Sequence, residues 1–159
     1  MNIKLEVYCE LNDIIDYSLE FFLNNKKLHF DCKILDHKSS NSKVIYQMFG
    51  DEIYDSKKTH LFDIKFSKNS DDHAGWVEIK EIKIDDIPAE WLIYRDGFFK
   101  HSMPRTWIEE MKENNVEILD QYCPGTELRI NGQFCYRFRL PMWYHKTMSI
   151  WKNHEQLDV

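Results

Sequence analysis

Glycine is scarce, 5 residues in 159 with none clustered, so no glycine-rich loop is available to wrap a phosphate. Cys9, Cys32, Cys123 and Cys135 lie far apart and form no CxxC pair. A chain of this length folds without staples, so the cysteines are read as free, buried thiols. No apolar run approaches the roughly 18 to 20 residues of a membrane span. Met1 to Glu10 mix acid and base among their apolar positions, unlike a signal peptide. Positive charge is in deficit, with Lys+Arg 21 against Asp+Glu 27 and a net charge of -6. The overall field therefore does not attract nucleic acid or an anionic membrane. The expected location is the cytoplasm, or the virion if the chain is viral.

Catalytic and metal-binding signatures are missing too. His60, His73, His101, His145 and His154 make no HExxH or Cys/His spacing. Ser102 and Ser149 lack a GxSxG setting. Asn69, Asp71 and Asp72 have the spacing of calcium ligands, without the Gly at the sixth and Glu at the twelfth position that an EF-hand requires. They are read as a solvated loop, and no metal or cofactor is expected.

What is present is a 43% apolar chain, enough for one hydrophobic core, with 14% aromatic residues. A single domain over residues 1–159 is expected, with a tail that frays from about residue 152. Ile3, Leu5, Val7 and Cys9 alternate with polar neighbours as in a half-buried strand, as do Phe62, Ile64 and Phe66. Leu28, Phe30, Cys32 and Ile34 read as one further strand, and Val44 to Phe49 as a short apolar run. Leu11, Ile14, Leu19 and Phe22 have helical spacing and predict a helix of about ten residues, with Tyr17 to Leu23 as a competing strand.

Between Trp76 and Ile84 the alternation changes phase: Val77 and Ile79 are odd, Ile82 and Ile84 even. A β-bulge near Lys80-Glu81 keeps both pairs on one buried face. Asp85 to Ala89 reads as a turn, and Asp96-Gly97 as the turn of a hairpin from Trp91 to His101. Thr106 and Glu109 match a capping box for a short helix ending at Asn114-Asn115, and Val116 to Leu119 returns to strand. A strict two-residue loop at Asn131-Gly132 would set Arg129 beside Phe134. A bulged or three-residue hairpin is therefore expected, pairing Ile130 with Phe134. These patterns predict a mainly β fold, an antiparallel β-sandwich of jelly-roll type with one or two short helices.

Recognition-capable side chains concentrate in three places: Trp91, Tyr94, Arg95 and Asp96 at a hairpin end, Arg105 and Trp107 at the helix entrance, and Trp143, Tyr144 and His145 after the last strand. Aromatic faces flanked by Arg and Asp suit sugar rings, and Trp, Tyr and Arg also anchor protein interfaces. The stretch "WVEIKEIKIDDI", Trp76 to Ile87, followed by short aromatic hairpins, resembles the middle strands of jelly-roll modules of the carbohydrate-binding type, over Leu61 to Tyr94. That resemblance implies glycan binding without catalysis; related sandwiches serve as virion or appendage components. The leading expectation is a non-catalytic binding or assembly module whose partner is a protein or a glycan, with homo-oligomers as an option. The alternatives are a small hydrolase or transferase using Asp96, Arg105 and His145, and an acidic inhibitor or adaptor that engages a basic protein.

Overall fold

The structure, a computed structural model, describes residues 3–14, 16–38, 41–50, 59–68, 75–89, 97–119, 121–122 and 126–139. Its strands are β1 (Ile3–Asn12), β2 (Tyr17–Leu23), β3 (Lys26–Leu28), β4 (Asp31–His37), β5 (Asn41–Gly50), β6 (Thr59–Lys68), β7 (Trp76–Ile84), β8 (Ile87–Pro88), β9 (Phe98–His101), β10 (Glu127–Leu128) and β11 (Gly132–Arg139). One helix, α1 (Arg105–Glu113), occurs among the described residues. The strands form two antiparallel sheets. Sheet A has six strands, ordered β10-β7-β1-β5-β4 with β8 beside β7, and sheet B has five, ordered β3-β2-β6-β11-β9. The fold is mainly β and sandwich-like.

Alternation builds the core. Ile3, Leu5 and Val7 of sheet A and Phe62, Ile64 and Phe66 of sheet B are buried and belong to one apolar cluster drawn from both sheets. Each such side chain contributes about 1.5–3 kcal/mol through removal of its surface from water. Across the sheets, the rings of Phe21 and Tyr46 lie 5.3 Å apart, and the Tyr17 and Tyr46 hydroxyls share a 2.8 Å hydrogen bond.

Two hairpins turn on residues with positive φ. Asn24 (50°) and Asn25 (67°) join β2 to β3, and Asp85 (51°) and Asp86 (65°) join β7 to β8. Both have the left-handed dihedrals of a type I′ turn, which Asn and Asp tolerate better than other residues with a Cβ. Side chains then tie the turns to the sheets. Asn24 Oδ1 accepts from the Leu61 amide and Asp85 Oδ1 from the Lys4 amide, each at 2.9 Å.

The bulge in β7 forms as expected. Tyr8 faces Glu81 and Cys9 faces Ile79, leaving Lys80 as the extra, exposed residue while Val77, Ile79, Ile82 and Ile84 all stay buried. Several expectations need correction. The N-terminal helix is not formed: Tyr17–Leu23 is β2, because Phe21 and Leu23 reach the core only in an extended chain. The run from Leu28 to Ile34 is not one strand. The chain leaves sheet B after Leu28 and joins sheet A at Asp31, and at the crossing the Phe30 ring stacks on Phe21 at 4.1 Å.

Asn131-Gly132 closes no hairpin of either length. Leu128 pairs with Val77 in sheet A and Phe134 with Ile64 in sheet B, so each apolar strand finds a different partner and the dipeptide carries the chain between sheets. Asn131 secures the passage, since its Oδ1 accepts from the Lys68 amide and its carbonyl from the Ser102 amide, both at 2.9 Å. Thr106 does not cap α1. Pro104 is the N-cap, so Thr106 already lies inside the helix, and Glu109 pairs with Arg105 instead, Nε to Oε1 3.1 Å. The helix ends on Asn115 at φ 59°, with the Val116 amide bonding back to the Met111 carbonyl and the Asn115 amide to that of Lys112. This is a Schellman closure. Val116 to Leu119 is irregular rather than strand.

Candidate functional site

Among the described residues β4 is the edge strand of sheet A, bonded to β5 on one side only, and all seven of its residues are exposed. Ile34 is 64% and Leu35 52% accessible. Cys32 lies opposite Tyr46 and Ile34 opposite Val44, so both point toward the core side of the sheet, at a margin that is left uncovered. Next comes a bulge: Ile34 pairs with Val44 and Asp36 with Lys43, leaving Leu35 unpaired.

This bulge and the one at Lys80 fall on one line across the sheet. Val44 and Lys43 pair with Cys9 and Glu10, and Cys9 pairs with Ile79 beside Lys80. Bulges re-aim side chains locally. Here each flanks a depression. One open hollow of about 410 Å³ adjoins Ile34 and His37, floored by Leu11, Ile14, Tyr17 and Val44 and rimmed by Asp13, Lys38, Asn41 and Ser42. A second, of about 390 Å³, adjoins Leu35 and holds Tyr8, Glu10, Lys43, Lys80 and Glu81. Both fall in the size range of ligand pockets. Both open between β4 and the strands inward of it.

The second hollow is electrostatically balanced. Glu10 accepts a hydrogen bond from Asn41 Nδ2, and its Oε2 lies 3.4 Å from Lys80 Nζ. The Asn41 hydrogen bond, with help from Lys80, holds the Glu10 carboxyl below its ordinary value of 4.5. A depressed carboxylate contributes stability above its unfolded pKa and loses it as pH falls through the folded one. Glu10→Gln should therefore lower Tm at neutral pH, and the gap to the parent should close as pH drops below the ordinary carboxylate range. A gap that stays constant into acid would remove Glu10 as its source. Tyr8 Oη donates to Glu6 Oε2 at 3.2 Å, and burial followed by Glu6 pushes its hydroxyl pKa up. Burial likewise raises Tyr17 and Tyr46, so these phenols remain neutral donors.

The two buried thiols among the described residues are poor nucleophiles. Burial pushes the Cys9 thiol up to about 12, and burial with a hydrogen bond to Asp63 does the same to Cys135, also about 12. A thiol held protonated is a weak donor with little reactivity. Asp63, opposite Cys135 on sheet B, is buried, and its Oδ1 has no hydrogen-bond partner among the described residues. Among those residues no group of three His, Cys, Asp or Glu could hold a metal ion, and no helix is long and apolar enough to cross a membrane.

Of the residues singled out by type, Arg105 and Trp107 are described. Both lie on α1: Arg105 is exposed, and Trp107 is half-buried with its ring 5.9 Å from that of His101. Trp91, Tyr94, Arg95, Asp96, Trp143, Tyr144 and His145 lie outside the described residues, as do Asn69, Asp71 and Asp72 of the calcium-like loop. Cys32 corrects the expectation of buried thiols throughout, since it is exposed on β4 while Cys9 and Cys135 are buried. Reasoning by residue type missed β4 because a strand edge is a backbone feature. Its one sequence signal is the close spacing of Asp31, Lys33 and Asp36, the charges with which edge strands are commonly marked. No protein-family model, curated protein or solved structure matches the chain.

Proposed function

We propose that this chain is a non-catalytic binding module whose partner is an extended protein segment added as a further strand along β4. The observation that carries the reading is the exposure of every β4 residue at the margin of sheet A, with Ile34 and Leu35 more than half accessible. Strand addition draws affinity from main-chain hydrogen bonds and specificity from pockets that take alternate side chains. The two hollows, one beside Ile34 and one beside Leu35, supply such pockets.

The test is selection of extended peptides from a random displayed library against the immobilised protein, followed by titration into a double variant, Ile34→Lys with Leu35→Lys. Both positions are exposed, so Tm should move by less than a few degrees, roughly the effect of a neutral surface change. Peptide affinity should fall at least about tenfold, the loss expected when charges are set on an edge. Peptides that bind the variant as well as the parent would place the site elsewhere.

A further inference from the structure

We propose that the occupant of β4 is a second copy of the same strand, paired antiparallel about a two-fold axis through Cys32. This rests on β4 as the docking edge and deepens that reading by naming the partner.

Side chains alternate between faces, and a two-fold perpendicular to the sheet leaves each face unchanged. The axis must then pass through a residue paired with its own copy. The regular part of β4 is Asp31 to Ile34, because Leu35 is the bulge. An axis at Asp31 or Lys33 sets two like charges face to face, which destabilises a strand pair. An axis at Ile34 forces the ladder through the bulged Leu35. An axis at Cys32 sets Asp31 opposite Lys33 on both sides of it. Charge is self-complementary there.

The arrangement also closes. An isologous contact uses β4 of both copies, and among the described residues the opposite margin of sheet A offers only the two-residue strands β8 and β10. The Leu35 bulge ends the ladder after a short run, as edge-limiting bulges do. A dimer results, without a free β4 edge for a third copy.

The experiment is sedimentation of the full chain over a concentration series up to millimolar, with the parent, Asp31→Lys, Lys33→Asp, and an equimolar mixture of the two variants. Each variant alone places like charges together on both sides of the axis, and its self-association should weaken about tenfold. In the mixture every facing pair is again opposite in charge, so association should return to the parent level as a heterodimer. The parent dimer should also cross-link under copper–phenanthroline oxidation, and Cys32→Ser should abolish this. A parent that stays monomeric, variants that dimerise like the parent, or a mixture that does not recover would each overturn the proposal. Library peptides that still compete at Ile34 and Leu35 in a monomeric parent would leave strand addition standing and remove only the second copy. Loss of both would remove both.

Discussion

Phe62→Ala should lower the unfolding free energy by about 3–5 kcal/mol, the cost of emptying an aromatic site that cannot collapse around the gap. Phe62 is 1% exposed, and its ring lies 6.2 Å from Phe21, 6.3 Å from Phe30 and 6.3 Å from Tyr136. The substitution removes one centre from an aromatic group that spans β2, β6, β11 and the crossing at Phe30. For a domain stabilised by about 5–15 kcal/mol that is a large fraction of the total. Denaturant unfolding measures it, with Phe49→Ala as the control: Phe49 is 73% exposed and should change stability by less than about 0.5 kcal/mol. Equal effects at the two positions would mean that Phe62 is not the centre of the core.

Gly132→Ala is the second large effect, and it comes from crowding. A Cβ on Gly132 would meet the ring of Phe99 and lie 2.5 Å from the Lys100 carbonyl oxygen. The oxygen cannot retreat freely, because Lys100 faces Gln133 in the ladder between β9 and β11. Overpacking of this kind costs about 3 kcal/mol, the upper part of the usual range. Phe99→Leu in the same background should recover part of the loss, since the smaller side chain vacates the space while the backbone contact remains. Urea midpoints of the four proteins form a double-mutant cycle. Purely additive losses would show that the Phe99 ring is not the obstruction.

Much of the architecture was legible because period determines face. The alternation at Ile3 to Cys9 and at Phe62 to Phe66 marks the strands that fill the centres of both sheets, and the phase slip after Ile79 locates a bulge to the Lys80-Glu81 pair, where the structure makes Lys80 the extra residue. The failures share a cause. Leu11 to Leu23 carries helical and strand spacings together, and only the positions of β6 and β5 decide that Tyr17, Phe21 and Leu23 are needed at period two. At Asn131-Gly132 the turn chemistry is plain, yet nothing local says that Leu128 and Phe134 belong to different sheets. Cys32 and Ile34 show the limit most clearly. Their parity correctly assigns them to the core side, but parity carries no information about depth, and none of the described residues covers that margin of the sheet. A binding edge made of backbone groups leaves little trace in side-chain identity, whereas the Trp, Tyr and Arg residues that attract attention do so by type alone.

The connectivity also has a kinetic side. β4 and β5 are neighbours in sequence and can zip as a local hairpin, whereas Ile64 must find Phe134 about 70 residues further along the chain before sheet B is complete. Folds dominated by such distant pairings reach the native state in milliseconds to seconds rather than microseconds. During that wait the β4–β5 hairpin forms only transiently, since β1 must find β7 over a similar stretch of chain before sheet A is complete. Newly made copies at high local concentration could then meet edge to edge before their cores close, so the rate of synthesis, and not only affinity, would influence how much of the chain matures in its intended state.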